Sequence, residues 1–261
     1  MMMSHRALLA LSMVIGWLPL ASAASLLEAS QRPAAVDALF AEFNQATTPG
    51  LAIGIYQNGQ PLLTRAYGMA DLENPAPITT DTVFHIASVS KHFTAFAVLL
   101  LANEGKIDLD ADVRRYLPYM PDFGDVITVR HLIYHTSGLR DSWRLLALGG
   151  VDSYSHRQQA QIVNMAARQR GLNFKPGTEY AYSNMNYTLL AEIVRSVTGK
   201  TLRQFTTERM FKPLQMDHTF FSDDILEIVP RRAQSYSREG DTWRRSPLNL
   251  DTYGATNLQT T

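Results

Sequence analysis

Two pairs of residues in this sequence have the types and spacing to move an acyl group. Ser88 and Lys91 stand three residues apart in "FHIASVSKHFTAFAVLL", at the mouth of an apolar stretch. Residues i and i+3 share one face of a helix, which brings the lysine amine within reach of the serine hydroxyl. A lysine held among apolar neighbours has its ammonium form disfavoured, so it can take the serine proton and leave a nucleophilic oxygen. Phe84, Phe93 and Phe96 are candidates to supply that environment. The partial positive charge of a helix N-terminus would favour the anion that develops. The second pair is Tyr182 and Asn184 in "FKPGTEYAYSNMNY". A phenol that reaches Ser88 can act as general base in acylation and as general acid to the leaving group. Asn184 can hydrogen-bond a substrate carbonyl or hold Lys91.

Plainer readings compete with this chemistry. Serine is a preferred N-cap, and Ser88 sits where a cap belongs. Tyr182 taken alone fits a packed aromatic with a satisfied hydroxyl. A second Tyr-x-Asn, Tyr56-Gln57-Asn58, belongs to a hairpin turn.

The elements that must position these residues can be read from periodicity. After Ala87, the residues Phe93, Phe96, Ala97, Leu100 and Leu101 recur at helical steps, and Gly105 closes that helix. "YTLLAEIVRSVTGKTL" predicts an amphipathic helix ending at Gly199, which leaves Tyr182 and Asn184 on the loop before it. Segment 34–45 predicts another amphipathic helix. "LAIGIYQ" and "PLLTRAY" predict two strands joined by Asn58-Gly59, a strong hairpin signal. Further helices are predicted in "DADVRRYLP", in "TVRHLIYHTSGL" up to a loop at Thr136-Ser137-Gly138, in "SHRQQAQIVNMAARQR" and in "TLRQFTTERMFKPL". After Asp217 the chain reads as irregular, with an extended piece at "RRAQSYSREGDTWRR". The organisation is a hairpin with a helix before it, then a helical lobe over about 95–220.

Residues 1–23 follow the order of a secretory signal peptide: basic start, apolar run, then "ASA", with cleavage expected between Ala23 and Ala24. This implies a periplasmic or secreted protein with no transmembrane span after cleavage. The remainder, 24–261, is long enough for one sizeable domain. The chain has no cysteine, which excludes disulfides and thiol chemistry. Its 24 basic and 24 acidic residues balance, and the arginine pairs at 114–115, 231–232 and 244–245 are scattered, so no nucleic-acid partner is expected. His131 and His135 are four apart, but no third ligand is spaced to complete a metal site, and no cofactor is implied. His135 is expected to be structural. His85 and His92 flank the S-x-x-K and either line the groove or take packing or surface roles, and Trp143 either walls a cleft or packs in a core. Met165, Met185, Met210 and Met216 read as core filler. No G-x-S-x-G elbow points to the α/β-hydrolase arrangement.

The motifs also occur in a telling order. S-x-x-K, then "HLIYHTSGL", then "KPGTEYAYSNMNYTLLAEIVRSVTGKTL" resembles the penicillin-recognising serine hydrolases. The branch in question holds class C β-lactamases, D-alanyl-D-alanine carboxypeptidases, D-aminopeptidases and β-lactamase-fold esterases. The resemblance runs over about 34–261. It implies that Ser88 is the acylated nucleophile, Lys91 its proton partner, and Tyr182 with Asn184 the second motif. It implies an α/β (α+β) fold: a mostly antiparallel sheet with flanking helices, a helical lobe, and a site in the groove between them. Substrates would be a β-lactam, a D-amino-acid peptide or a small ester, with peptidoglycan as a candidate partner.

The family's third motif, K-T-G or H-x-G, does not appear after Asn184. The ending "DTYGATNLQTT" resembles the family's glycine-rich turn and the Thr-Thr that opens a further helix. On this reading the domain lacks its later sheet strands. The expectation is then weak activity and low stability, or a non-catalytic relative that binds peptidoglycan fragments or a protein partner through the same groove.

Overall fold

A computed structural model describes residues 33–261; the signal-peptide reading over 1–23 lies outside them. Helix α1 covers 33–39 and is followed by a short 3-10 turn, Ala41–Phe43, so the helical pattern to residue 45 ends early. Strands β1 (Leu51–Gln57) and β2 (Gln60–Tyr67) form the expected antiparallel hairpin. Asn58 and Gly59 turn it with φ of 52° and 74°, the left-handed pair that a two-residue hairpin loop requires. Phe40 stacks on Tyr67 at 5.8 Å, and the Tyr67 hydroxyl donates to Asp37 at 2.6 Å, which ties the end of α1 to the hairpin. Among the described residues, β1 and β2 pair only with each other.

Strands β3 (Met69–Asp71) and β4 (Ala76–Pro77) pair next, and β5 (Phe84–His85) leads toward the first long helix. That helix, α2 (Ser90–Asn103), buries Thr94, Ala97, Val98 and Leu101. The following helices are α3 (Val129–Ile133), α4 (Ser142–Leu148), α5 (Gln159–Ala167), α6 (Asn184–Thr198) and α7 (Leu202–Thr206). The last continues through a π turn, Thr207–Phe211. Sequence reading gives no helix at α4. Its start is marked by Asp141, whose carboxylate accepts from the Arg144 N–H as an N-cap should. "DADVRRYLP" forms only a 3-10 turn, Val113–Arg115.

The pattern in α6 predicts one apolar face, but Asn184 through Val194 are all buried. Helices α2, α3, α4, α5 and α7 all pack against α6, so it is the axis of the core rather than a surface helix. Its one buried charge in this stretch, Glu192, is neutralised by Arg195 at 2.7 Å and accepts from Gln159 at 3.0 Å. Gly199, with φ 71°, ends the helix as expected.

The C-terminal part supplies β6 (Phe220–Phe221), the hairpin β7 (Tyr236–Glu239) with β8 (Thr242–Arg245), and β9 (Leu258–Thr260). Strand β9 is the middle strand of an antiparallel sheet in the order β5-β9-β6. Leu258 is fully buried there, and its carbonyl accepts from the Ile86 N–H at 3.0 Å. This pairing clamps the chain before β9 against the start of α2. No helix among the described residues is long and apolar enough to cross a membrane.

Candidate active site

Ser88 lies on a 3-10 turn, Ala87–Val89, between β5 and α2. Ala87 has φ 46°, a left-handed conformation that is strained for a residue with a Cβ and that typifies functional turns. Neither this turn nor α2 has a side-chain cap, so Ser88 is not the helix cap that its position suggests. Its hydroxyl is exposed and meets two groups. Lys91 Nζ lies 3.1 Å away, and the Tyr182 hydroxyl donates to Ser88 Oγ at 2.8 Å. Neighbouring Ser90 does the structural work: its Oγ donates to the Ala87 carbonyl at 2.5 Å and accepts from the Leu258 N–H at 3.0 Å.

Lys91 is buried, and every donor of its ammonium has a partner. It donates to Ser88 Oγ at 3.1 Å, to Asn184 Oδ1 at 2.9 Å and to the Ala255 carbonyl at 2.6 Å. Burial pulls its pKa down to about 8, against an opposing pull from the Asp141 carboxylate. The apolar surroundings are not Phe93 and Phe96. Those residues lie two and five positions beyond Lys91, on another face of the helix. Phe93 packs on Phe211 at 5.8 Å, and Phe96 is exposed. The rings over Nζ belong to Tyr182 at 4.7 Å and Tyr187 at 5.7 Å.

Asn184 opens α6 and holds Lys91, the second of the two roles open to it in the sequence. Its backbone N–H and its Nδ2 both donate to Asp141 Oδ1 at 2.8 Å. Asp141 and the Ala255 carbonyl are the groups that sequence reading does not reach. A backbone carbonyl leaves no mark in a sequence. Asp141 leaves only the weak one of an acidic residue before "SWRLLAL". Ala255 is delivered by Gly254, whose carbonyl accepts from Thr94 at 2.8 Å. At φ 88°, a Cβ on Gly254 would fall 2.5 Å from the Tyr187 carbonyl, so only glycine lets this chain approach α6.

Tyr182 is set by His135. The two rings lie 4.6 Å apart, His135 Nδ1 accepts from the Ser183 N–H at 3.1 Å, and its carbonyl accepts from the Ala181 N–H at 3.0 Å. His135 is thus a scaffold for the Tyr182 loop. His131 is engaged separately, its Nδ1 accepting from the Thr128 N–H at 3.2 Å within a capping box. His92 sits exposed against the Val89 carbonyl. Trp143 is half-buried and carries the Arg157 guanidinium 4.3 Å above its ring. Met185 and Met210 are buried in the core, and Met165 and Met216 pack against it.

His85 stands one strand away from the site. Its Nε2 contacts Thr256 Oγ1 at 2.9 Å and accepts from the Asn257 N–H at 3.2 Å. Burial holds the pKa of both His85 and His135 near 4, helped by Arg232 and Lys91 respectively. An imidazole with a depressed folded pKa stabilises the fold above the unfolded value of about 6.5, and that contribution is lost as pH falls toward the folded value. The midpoint of thermal unfolding is therefore expected to drop between pH 7 and pH 5. A flat profile would contradict two imidazoles held neutral by the fold.

A protein-family model described as Beta-lactamase matches residues 36–261. The chain belongs to the beta-lactamase family. This beta-lactamase-family chain is 35% identical over 198 residues to Protein flp of Staphylococcus aureus (strain MW2), covering 74% of this chain and 39% of that protein. It is 36% identical over 196 residues to the D-aminopeptidase of Brucella anthropi, covering 75% of this chain and 36% of that one. It thus spans less than two-fifths of the length of these relatives. Among solved structures, it resembles the D-amino acid amidase of Ochrobactrum anthropi with a TM-score of 0.68 at 28% identity, over 81% of this chain and 63% of that one. It shares the fold of EstCE1, a hydrolase with promiscuous acyltransferase activity, with a TM-score of 0.74 at 22% identity, over 91% and 70% of the two chains. The mixed α/β, beta-lactamase/transpeptidase-like fold implied by the motifs is the one observed.

Proposed function

We propose that this chain carries the acylating centre of an exported serine hydrolase, with amides or short peptides of D-amino acids as its substrate class. One observation carries the reading: Ser88 Oγ is contacted by both Lys91 and Tyr182, while the other two partners of Lys91 are acceptors. A neutral amine has two N–H donors and one lone pair. With those donors directed to Asn184 Oδ1 and the Ala255 carbonyl, the lone pair faces Ser88.

In the proposed reaction, Ser88 gives its proton to Lys91 as Oγ bonds the substrate carbonyl carbon. Tyr182 protonates the leaving nitrogen as the C–N bond breaks, and the proton on Lys91 restores the phenol. A water oxygen then bonds the acyl carbon, the C–O bond to Ser88 Oγ breaks, and a proton of that water passes to Oγ, which releases the acid and restores the serine. The D-amino-acid preference is taken from the aminopeptidase and amidase relatives, and export from the character of residues 1–23.

Because acylation needs the neutral amine, its rate is expected to rise about tenfold per pH unit below pH 8 and to level above it. A rate that is flat from pH 6 to 9 would remove Lys91 as the base. The test of function is the intact mass after exposure to a fluorophosphonate and to a penicillin, followed by turnover of D- and L-amino-acid amides. An adduct on Ser88 with preference for the D-amides supports the reading. A folded protein with no adduct would instead favour a binding role for the same groove.

A further inference from the structure

We propose that Asp141 is a positioning residue that locks the side-chain amide of Asn184, so that Oδ1 rather than the NH2 group faces Lys91. The proposal deepens the acyl-transfer reading above and rests on it for its kinetic consequence. A carboxylate can only accept hydrogen bonds. Asp141 Oδ1 takes both the backbone N–H and the Nδ2 of Asn184 at 2.8 Å. The amide can then present only its oxygen to Lys91, as the 2.9 Å contact shows.

The orientation matters because an amide can turn over with little change of shape. Turned over, Nδ2 would donate into the lone pair of neutral Lys91, and that pair would no longer face Ser88. In the observed orientation, the lone pair has no donor other than Ser88 to meet.

Asp141 is itself well anchored. Its second oxygen accepts from the Arg144 N–H at 3.2 Å, and its carbonyl accepts from the Leu145 N–H at 3.1 Å, so the first turn of α4 grips it. Next to it, the Arg140 carbonyl accepts from Ser183 Oγ at 3.3 Å. The groups that face Nζ are Ser88, Asn184, the Ala255 carbonyl, and the rings of Tyr182 and Tyr187. His135 bears on Lys91 from beyond Tyr182, and its pKa near 4 leaves it uncharged. Asp141 is the carboxylate whose charge favours the ammonium form of Lys91. One side chain therefore orients the partner of the lysine and tempers its acidity.

The test pairs Asp141→Asn and Asp141→Ser, both competent N-caps that preserve the start of α4, with Asn184→Ala and the double variant D141N/N184A. Lys91 is titrated by the carbon-13 shift of its Cε. The side-chain amide protons of Asn184 are followed by solvent exchange, and acylation by a fluorophosphonate is timed. In the unaltered protein, the Asn184 amide protons are expected to exchange slowly. Loss of the carboxylate is expected to speed that exchange and to shift the Lys91 midpoint to lower pH. Acylation should slow by about a hundredfold, as for a misplaced reacting group, and D141N should add little in the N184A background.

A purely structural role for Asp141 would leave the exchange of the Asn184 amide unchanged and make the two substitutions additive; either result overturns the proposal. So would fast exchange of the Asn184 amide in the unaltered protein. If no variant and no unaltered protein forms an adduct, the acyl-transfer reading fails, while the titration and the exchange still decide the role of Asp141.

Discussion

Replacing Ser88 with alanine is expected to lower turnover by about 10⁵-fold or more, with the thermal midpoint almost unchanged. The size follows from the roles of the groups left behind. Lys91 and Tyr182 both converge on Ser88 Oγ, and without it neither has an oxygen to activate. Water is a poor substitute because it is not covalently held, and the advantage of a fixed nucleophile is large. The small effect on stability follows from exposure. Ser88 caps no helix, and the ties between its turn and β9 are made by Ser90. The measurement is kcat on the best D-amino-acid amide together with a melting curve and the mass after probe treatment. Turnover within tenfold of the unaltered protein would remove Ser88 as the nucleophile. A collapse of the melting midpoint would mean that the serine is structural after all.

The second large effect is expected at Gly138, which makes none of the hydrogen bonds to Ser88 or Lys91. Gly138→Ala should destabilise the fold by about 3 kcal/mol or more, through strain and backbone collision together. Gly138 has φ 75°, and a Cβ there would lie 2.2 Å from the Phe174 carbonyl and 3.2 Å from Leu172. The segment cannot retreat, because it is bonded on both sides. The Gly138 carbonyl accepts from the Asn173 N–H at 2.8 Å, and the Thr136 carbonyl accepts from the Gly177 N–H at 2.8 Å. Ser137 Oγ is also fixed to Asn186 Oδ1 in α6 at 2.8 Å. Gly59→Ala is the control. It has a similar φ of 74° but nothing within 4 Å of the new carbon, so it should cost only about 1 kcal/mol. Urea midpoints for the two variants separate the collision from the dihedral. Equal losses would show that the loop yields to the added carbon.

Much of the site was legible because its information is local. The three-residue step from Ser88 to Lys91 and the Tyr182–Asn184 pair at a helix start are short-range patterns, and the structure brings all four side chains together. The hairpin at Asn58-Gly59 and the stop at Gly199 were legible for the same reason. What escaped depends on distant segments meeting. The apolar run of α6 shows one face, but burial on every face is set by the helices that surround it. Phe93 and Phe96 are near Lys91 in sequence, yet helical rotation turns them away. The left-handed Ala87 delays α2 to Ser90 and frees Ser88 from capping, which residue preferences alone do not show. Leu258–Thr260 is too short for a periodic signal and becomes a strand because two other strands flank it.

The reach of the bonds at Lys91 has a kinetic consequence. Its partners Asn184 and Ala255 lie 93 and 164 residues away along the chain. Contacts of such separation form only after most loop-closure entropy has been spent, so they belong to the slow, global phase of folding. A partly folded chain with α2 and the Ala87–Val89 turn before it already formed would hold Ser88 and Lys91 side by side yet leave the amine hydrated and protonated. Probe reactivity at Ser88 should then lag behind the recovery of helical signal during refolding. The same hydroxyl that marks the site chemically would serve as a clock for the arrival of the last long-range contacts.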